Sequence, residues 1–201
     1  RGLGDVYKRQ RLFPMLERSW REFFNQPNLP FHFVQLSSIG TRPSWPHFRD
    51  SQRRMAETLP NTYMAVCSDL GDSLDVHPRH KREVGERLAF SVLNRNYGHK
   101  VTPNGPRYQS MKIDGNAIVL RFADAEGMRA AQGTRLIGFE VAGADGIYHP
   151  AEASIKNNTV IVRSKEVKQP AAARYGWQPF TRANLVNAAG LPASTFRTAA
   201  W

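Results

Sequence analysis

The sequence predicts an α/β fold in its first half, followed by a small antiparallel β domain. Helical and strand-like patterns alternate over residues 11–100, and this alternation is typical of a parallel sheet covered by helices. Residues 103–106 read Pro-Asn-Gly-Pro, a composition that favours a turn or a linker. Over residues 107–201, short strand-like runs alternate with turn signals. We therefore expect two structural units, which the Pro/Gly-rich stretch separates.

The first unit contains three helical patterns and two strand-like patterns. The first helix is amphipathic, because Leu16, Trp20 and Phe23 recur at spacings that place them on one face. Two strands make a poor sheet alone, so we expect this unit to be the C-terminal part of a larger α/β domain. The predicted helices are 12–26, 47–59 and 78–94, and the predicted strands are 31–36 and 61–67.

Residues 1–10 are expected to be foreign to the rest of the chain. Within them, residues 5–10 read Asp-Val-Tyr-Lys-Arg-Gln, the peptide obtained by translating a common transposon sequencing adaptor in one frame. Such adaptor-derived segments are excluded from reasoning about the fold. We therefore expect the natural sequence to start at about Arg11 and the chain to be an N-terminally truncated fragment.

The second unit is predicted to be a β-sandwich or jelly roll. Its turn signals include Asp-Gly-Asn at residues 114–116 and Ala-Asp-Gly at residues 144–146. Short strands at this spacing are typical of antiparallel β domains. The predicted strands are 108–113, 117–122, 136–141, 153–155, 159–162 and 172–177.

The loop after the second predicted strand carries an acid and an imidazole, Asp75 and His77. Ligands bind at the carboxyl edge of open α/β sheets, so this loop is a candidate site. Pro78 suits the first position of the next helix, which would put His77 at the helix start, where the dipole favours a neutral imidazole. A neutral histidine beside a carboxylate is the arrangement that a general base needs. A plain helix cap beside a solvated loop acid is the alternative.

Two sets of motifs resemble one enzyme family. Asp-Val-His-Pro-Arg-His-Lys at residues 75–81, followed by Val-Gly-Glu-Arg-Leu-Ala at residues 84–89, resembles the last catalytic block of the sialate O-acetylesterase family, a family of SGNH (GDSL-type) hydrolases. Arg-Tyr-Gly-Trp at residues 174–177 and Gly-Leu-Pro-Ala-Ser-Thr-Phe-Arg-Thr at residues 190–198 resemble its closing segment. The resemblance covers residues 12–198, nearly the whole chain.

The resemblance implies a partial three-layer α/β/α SGNH-hydrolase domain followed by the β domain, and hydrolysis of acetyl esters on carbohydrates. It implies His77 as the catalytic base and Asp75 as the acid that orients it. Many SGNH enzymes space this pair as Asp-x-x-His, whereas residue 74 is Leu here, so Asp72 is the alternative acid. It further implies an O-acetylated sialic acid or xylan-type glycan as substrate, no cofactor or metal, and a periplasmic or secreted location.

The nucleophile that this family uses is expected to lie outside the chain. Residues 71–74 read Gly-Asp-Ser-Leu, the block that carries the nucleophilic serine in the superfamily. In the superfamily this block follows the first strand, near the beginning of the domain. Here it follows the second predicted strand, and its serine lies only four residues before His77. We therefore interpret Ser73 as a coincidental loop residue. Family members carry the serine in a Gly-Gln-Ser-Asn type block and oxyanion donors in a Gln-Gly-Glu type block, and neither block occurs here. The chain alone is thus expected to be inactive.

The formal net charge of +11 permits a nucleic-acid partner or an anionic glycan. Lys and Arg are dispersed, and the densest cluster, residues 79–82, is mixed with glutamates on a predicted helix, so we expect no nucleic-acid partner. A non-catalytic basic module that binds carbohydrate or nucleic acid is the alternative to an esterase. No run approaches the roughly 18 apolar residues of a membrane span. His32, His47 and His80 lack the spacing of a metal site.

Overall fold

The computed structural model describes residues 3–77 and 79–199. Its first half consists of α1 (Leu3–Phe23), β1 (Phe31–Val34), α2 (Trp45–Thr58), β2 (Thr62–Ala65), a 3-10 turn (Ser68–Leu70) and α3 (Lys81–Tyr97). Strands β1 and β2 pair in parallel, with Phe31 opposite Thr62 and Val34 opposite Ala65. None of the helices in these described ranges is long and apolar enough to cross a membrane.

Helix α1 begins earlier than the sequence patterns predicted. It starts at Leu3 rather than at residue 12, and Val6 is fully buried. Residues 5–13 contain no glycine or proline, so nothing interrupts the helix before Pro14, which lies inside it instead of near its start. The foreign origin of residues 1–10 stays a prediction.

Helix α3 begins later than predicted. It starts at Lys81 instead of residue 78, and the expectation that Pro78 occupies the first helical position falls on a residue outside the described ranges. The prediction that His77 lies at the helix start was therefore wrong. The helix ends at Tyr97, and the following Gly98 adopts the left-handed conformation (φ 69°) that glycine allows without steric cost.

Helices cover both faces of the two-stranded sheet, because successive side chains of a strand point to opposite faces. On one face, Phe13 of α1 packs against Phe33 with ring centroids 4.9 Å apart. On the other, His32 Nδ1 lies 3.0 Å from Ser91 Oγ and His32 Nε2 lies 2.7 Å from Asn96 Oδ1, both on α3. Burial lowers the pKa of His32, so its ring is neutral at physiological pH.

The second half consists of short strands, as predicted. They are β3 (Arg107–Asp114), β4 (Ala117–Ala123), β5 (Arg129–Ala130), β6 (Phe139–Ala142), β7 (Tyr148–Pro150), β8 (Glu152–Lys156), β9 (Thr159–Arg163), β10 (Ala172–Tyr175), β11 (Leu185–Val186) and β12 (Phe196–Arg197). They pair in antiparallel fashion in the orders β3-β4-β9-β8, β12-β10-β6-β7 and β11-β5. The sequence patterns missed β5, β7, β11 and β12, which have only two or three residues each.

The two four-stranded sheets enclose one hydrophobic core. Ile118 and Val160 of the β3-β4-β9-β8 sheet are fully buried, as is Val141 of the other sheet. Tyr175 is also buried, and its hydroxyl oxygen accepts a hydrogen bond from the Leu185 backbone N–H at 2.7 Å. The β domain thus has its own apolar interior, in which aromatic rings from β10 and β12 stack.

A buried guanidinium joins this β domain to the α/β unit. Arg49 of α2 is fully buried and donates to Thr195 Oγ1 (2.9 Å) and to the carbonyls of Gly176 (3.0 Å), Gln178 (2.5 Å) and Pro179 (3.0 Å). Burial lowers the pKa of Arg49 to about 10, so the group remains protonated at neutral pH. Four acceptors from one region of the β domain therefore surround a cation from α2.

Two further side chains reinforce the same contact. Gln35, which follows β1 and is fully buried, donates to Ser194 Oγ at 2.7 Å. Buried Asp50 accepts from Arg54 Nε at 3.0 Å, and Arg54 Nη2 in turn donates to the carbonyl of Arg197 at 3.3 Å. The two units are thus held together by buried polar contacts.

Arg49→Ala should lower the free energy of unfolding by about 3 kcal/mol, because several buried carbonyls would lose a charged donor. Arg49→Lys should recover only part of this loss, since an ammonium cannot reproduce the planar fork. Urea denaturation of the chain measures both values. Arg18→Ala, at an exposed position on α1, is the control and should change stability by no more than about 0.5 kcal/mol. Equal effects of Arg49→Ala and Arg18→Ala would contradict the assignment.

Candidate active site

The loop that carries Asp75 and His77 is fixed at its start by Arg87 of α3. The Arg87 guanidinium contacts both carboxylate oxygens of Asp69, at 2.6 and 2.7 Å, and donates to the Val66 carbonyl at 2.7 Å. A two-pronged contact of this kind fixes orientation as well as distance. Sequence reasoning missed Arg87 as a structural partner, although its position in the motif at residues 84–89 was the available signal.

The segment after β1 supports the middle of the loop. Ser38 Oγ donates to the Ser68 carbonyl at 2.7 Å, and the Gly40 backbone N–H donates to the Ser73 carbonyl at 2.9 Å. A Cβ atom at Gly71 would clash with the Ser38 backbone, so only glycine fits this approach. The same segment is attached to the β domain, because the Ile39 backbone N–H donates to the Pro179 carbonyl at 3.0 Å.

Asp72, the alternative acid, orders the turn itself. Its Oδ1 atom accepts the backbone N–H groups of Leu74 (2.8 Å) and Asp75 (3.2 Å). These two hydrogen bonds lower the pKa of the Asp72 carboxyl, that from Leu74 most strongly. The carboxylate of Asp72 therefore stabilises the backbone turn that leads to Asp75. The carboxylate that contacts the His77 ring is that of Asp75.

Asp75 and His77 are brought together. Asp75 Oδ1 accepts the backbone N–H of His77 at 2.9 Å and lies 3.1 Å from His77 Nδ1. The backbone hydrogen bond from His77 lowers the pKa of Asp75, so the carboxyl is ionised at neutral pH. An ionised carboxylate only accepts, so Nδ1 carries the proton and Nε2 is the basic nitrogen.

The open nitrogen faces solvent. The His77 side chain is 83% exposed and that of Asp75 46% exposed. A histidine whose Nδ1–H is held by a carboxylate presents Nε2 to a proton donor, which is the relation of base to orienting acid in a catalytic triad. The pair can thus accept a proton from a group that approaches from the solvent side.

Val76, which lies between Asp75 and His77 in the chain, forms part of the wall of a surface cavity of about 900 Å³. Residues 42–45, at the end of the connection from β1 to α2, form another part of the wall. The Trp45 indole N–H donates to the Ser37 carbonyl at 2.8 Å, so the wall is held in place. The other lining residues are Asp5, Lys8, Arg9, Leu12, Thr41 and Phe48.

Three other side chains that could react, those of Cys67, His80 and His149, are either buried or paired with a carboxylate. Cys67 is almost fully buried, and this burial raises the pKa of its thiol to about 11. His80 pairs with Glu83 at 3.2 Å and His149 with Glu166 at 2.6 Å. Across residues 3–77 and 79–199, no group of three or more His, Cys, Asp or Glu side chains is placed to hold a metal ion.

Comparison with known proteins gives a strong similarity to a solved structure. No protein-family model matches the chain, and neither does any curated protein. A crystal structure of a carbohydrate acetylesterase from Xanthomonas citri matches with a TM-score of 0.91 and 38% sequence identity. The match covers 96% of this chain and 46% of that one. The chain is therefore strongly similar to a carbohydrate acetylesterase in sequence and fold, and it spans about half the length of that protein.

Arg87→Ala should lower the free energy of unfolding by about 2 kcal/mol, because Asp69 and the Val66 carbonyl would lose a charged donor at once. The matched control is Arg82→Ala, on the same helix, whose partner Glu86 lies at 2.7 Å but whose side chain is 86% exposed. That control should cost no more than about 0.5 kcal/mol. Thermal and urea unfolding measure the difference, and equal losses in the two variants would show that Arg87 does not fix the loop.

Proposed function

We propose that the chain is the part of a carbohydrate O-acetylesterase that holds the His/Asp pair of a Ser-His-Asp catalytic triad. The observation that carries the proposal is the contact between Asp75 and His77 on an exposed loop beyond a parallel strand. The similarity to a carbohydrate acetylesterase over 96% of the chain supports the reaction class. Within the proposal, the α/β unit belongs to a three-layer SGNH-hydrolase domain of the sialate O-acetylesterase type.

In the proposed reaction, His77 Nε2 takes the proton of a serine hydroxyl as its Oγ attacks the acetyl carbonyl. Asp75 holds the Nδ1–H and stabilises the imidazolium that forms. The carbon–oxygen bond to the sugar then breaks, and His77 returns the proton to the departing sugar hydroxyl. Water then attacks the acetyl-serine while His77 takes a proton from it. The bond to the serine oxygen breaks, His77 returns the proton to that oxygen, and acetate leaves.

The proposed nucleophile is a serine outside these 201 residues. Ser73 uses its carbonyl to hold the Gly40 N–H, and its block lies at the wrong place in the chain for the superfamily's nucleophile. The Nε2 side of His77 is exposed, so a serine from elsewhere in a longer protein has room to approach. The matched acetylesterase is about twice as long as this chain, which agrees with a division of the triad. On this proposal the chain alone is inactive.

The proposed substrate is an O-acetylated glycan, of the sialic acid or the xylan type. The net charge of +11 favours encounter with an anionic glycan at low ionic strength. A periplasmic or secreted location belongs to the same proposal, because members of the family that the chain resembles are commonly exported in bacteria. These substrate and location assignments follow from the family resemblance of residues 75–81 and 190–198.

The test uses the complete coding sequence that contains this chain, with acetate release measured on acetylated sialic acid and on acetylated xylan. His77→Ala should reduce the rate by a factor of about 10³ or more, because the base is lost. His80→Ala is the matched control, since His80 is also exposed and also pairs with an acid, Glu83. Its rate should stay within about twofold of wild type.

Two outcomes would count against the proposal. Full activity of a folded His77→Ala protein would show that His77 is not the base. No acetate release from either substrate, together with no Gly-Gln-Ser-Asn type block in the longer sequence, would favour the basic carbohydrate- or nucleic-acid-binding module instead. Circular dichroism of each variant separates loss of the base from loss of the fold.

A further inference from the structure

We infer that the outer side of α1, together with the free edge of β1, is a docking surface for the remaining polypeptide of the proposed esterase. The inference rests on the proposed function, because that function supplies the identity of the partner. The partner presents a β-strand to the edge of β1 and apolar side chains to α1. Side-chain exposure, backbone hydrogen bonding and the length of the matched enzyme support this assignment.

The first observation is an exposed apolar stripe on α1. Large side chains recur at spacings of three, four and one residue along one side of the helix and its C-terminal end, and each is about half exposed or more. Contiguous apolar surface of this kind marks interaction sites in soluble proteins. The α1 stripe consists of Leu12 (49% exposed), Leu16 (45%), Trp20 (48%), Phe23 (83%) and Phe24 (52%).

The stripe borders the face by which α1 packs on its own unit, and Trp20 belongs to both, because its ring centroid lies 5.7 Å from that of Phe31. That inner face carries Phe13, which contacts Phe33, and Glu17, which is buried and accepts from the Thr62 hydroxyl. An amphipathic helix with one apolar face satisfied normally turns polar groups outward. Here α1 turns a second apolar surface outward, which indicates a second packing partner.

A groove of about 510 Å³ continues the stripe toward α2. Leu12 and Leu16 form one wall, and Phe48 and Met55 of α2 form the other. Leu36, just beyond β1, also lines the groove. The apolar surface of α1 is therefore continuous with the C-terminal end of the sheet edge.

The second observation is the free edge of β1, the edge away from β2, with which no strand of residues 3–77 and 79–199 pairs. The backbone N–H groups of Phe31 and Gln35 donate to β2 and its flanks, at 2.8 Å each. In a strand, alternate residues direct their backbone groups to opposite edges, so His32 and Val34 direct theirs away from β2. An edge of this kind is a template for another strand.

Part of that edge is covered by a side chain. Gln52 of α2 donates from Nε2 to the Val34 carbonyl (3.3 Å) and accepts at Oε1 from the Leu36 N–H (2.9 Å). Its amide thus takes the position that a neighbouring peptide group would take. The N-terminal part of the edge, at His32, is where an added strand would pair.

The length of the matched enzyme identifies the occupant. This chain corresponds to 46% of the Xanthomonas citri acetylesterase, so more than half of that protein has no counterpart here. Parallel sheets are buried on both faces and need more than two strands for stability. A strand that extends the sheet beyond β1 would lie under the α1 stripe and bury both exposed features at once. A second copy of this chain is the competing occupant, and the test separates the two.

The experiment co-expresses the tagged chain with the part of the Xanthomonas citri acetylesterase that the chain does not match. We expect the two polypeptides to purify as a 1:1 complex, with slower amide hydrogen exchange at His32 and Val34 than in the chain alone. The double variant Leu12→Glu/Leu16→Glu should weaken the complex at least about tenfold, since it would bury two charges. Ile147→Glu, at an apolar residue of the β domain that is at least as exposed (59%), is the control and should associate as wild type does.

Three results would overturn the inference. The first is failure of the two polypeptides to associate, which includes an acetylesterase part that stays insoluble with and without the chain. The second is normal association of the Leu12→Glu/Leu16→Glu variant. The third is sedimentation of the chain alone as a dimer that this variant dissociates. The complex can form without releasing acetate, in which case the proposed function fails and the docking surface stands. Acetate release with no effect of the stripe variant would refute only the docking surface.

Discussion

The placement of the candidate site depends on the buried guanidinium of Arg49. Its acceptors lie in the β domain, and one of them, the Pro179 carbonyl, also accepts the Ile39 backbone N–H at 3.0 Å. The neighbouring Gly40 N–H holds the Ser73 carbonyl, two residues before Asp75. The β domain is therefore part of the scaffold of the α/β unit, because it supports the segment against which the site loop rests.

Within the loop, the carboxylates of Asp72 and Asp75 both accept hydrogen bonds from backbone N–H groups. Asp72 accepts from two backbone groups, and Asp75 accepts from the backbone of His77 as well as from its ring. These hydrogen bonds favour the ionised carboxylates, so the charge that orients the imidazole is present at neutral pH. Arg87 fixes the start of the loop through Asp69, so its charge stabilises the loop from a distance and leaves the histidine open to solvent.

Sequence patterns predicted what is encoded locally. Strands β4 and β9 lie within one residue of their predicted bounds, and the spacing of Asp75 and His77 led to a pair that the structure brings to 3.1 Å. The failures have remote causes. Arg49 meets partners 127 to 146 residues away, a relation that no local pattern contains. The two-residue strand β12 depends on pairing with the longer strand β10, which lies more than twenty residues before it in the chain. The start of α3 at Lys81 follows from a turn that Asp72 and Asp75 hold by side-chain contacts, which propensities do not record.

The central claim is that the base of a serine esterase lies in this chain and its nucleophile outside it. The most direct measurement is labelling of the complete protein with a serine-reactive phosphonate, followed by mass-spectrometric mapping of the modified peptide. The account predicts one labelled serine, outside these 201 residues, and loss of that label in His77→Ala, because the serine is a weak nucleophile without its base. Labelling of Ser73, or an unchanged label in folded His77→Ala protein, would contradict it.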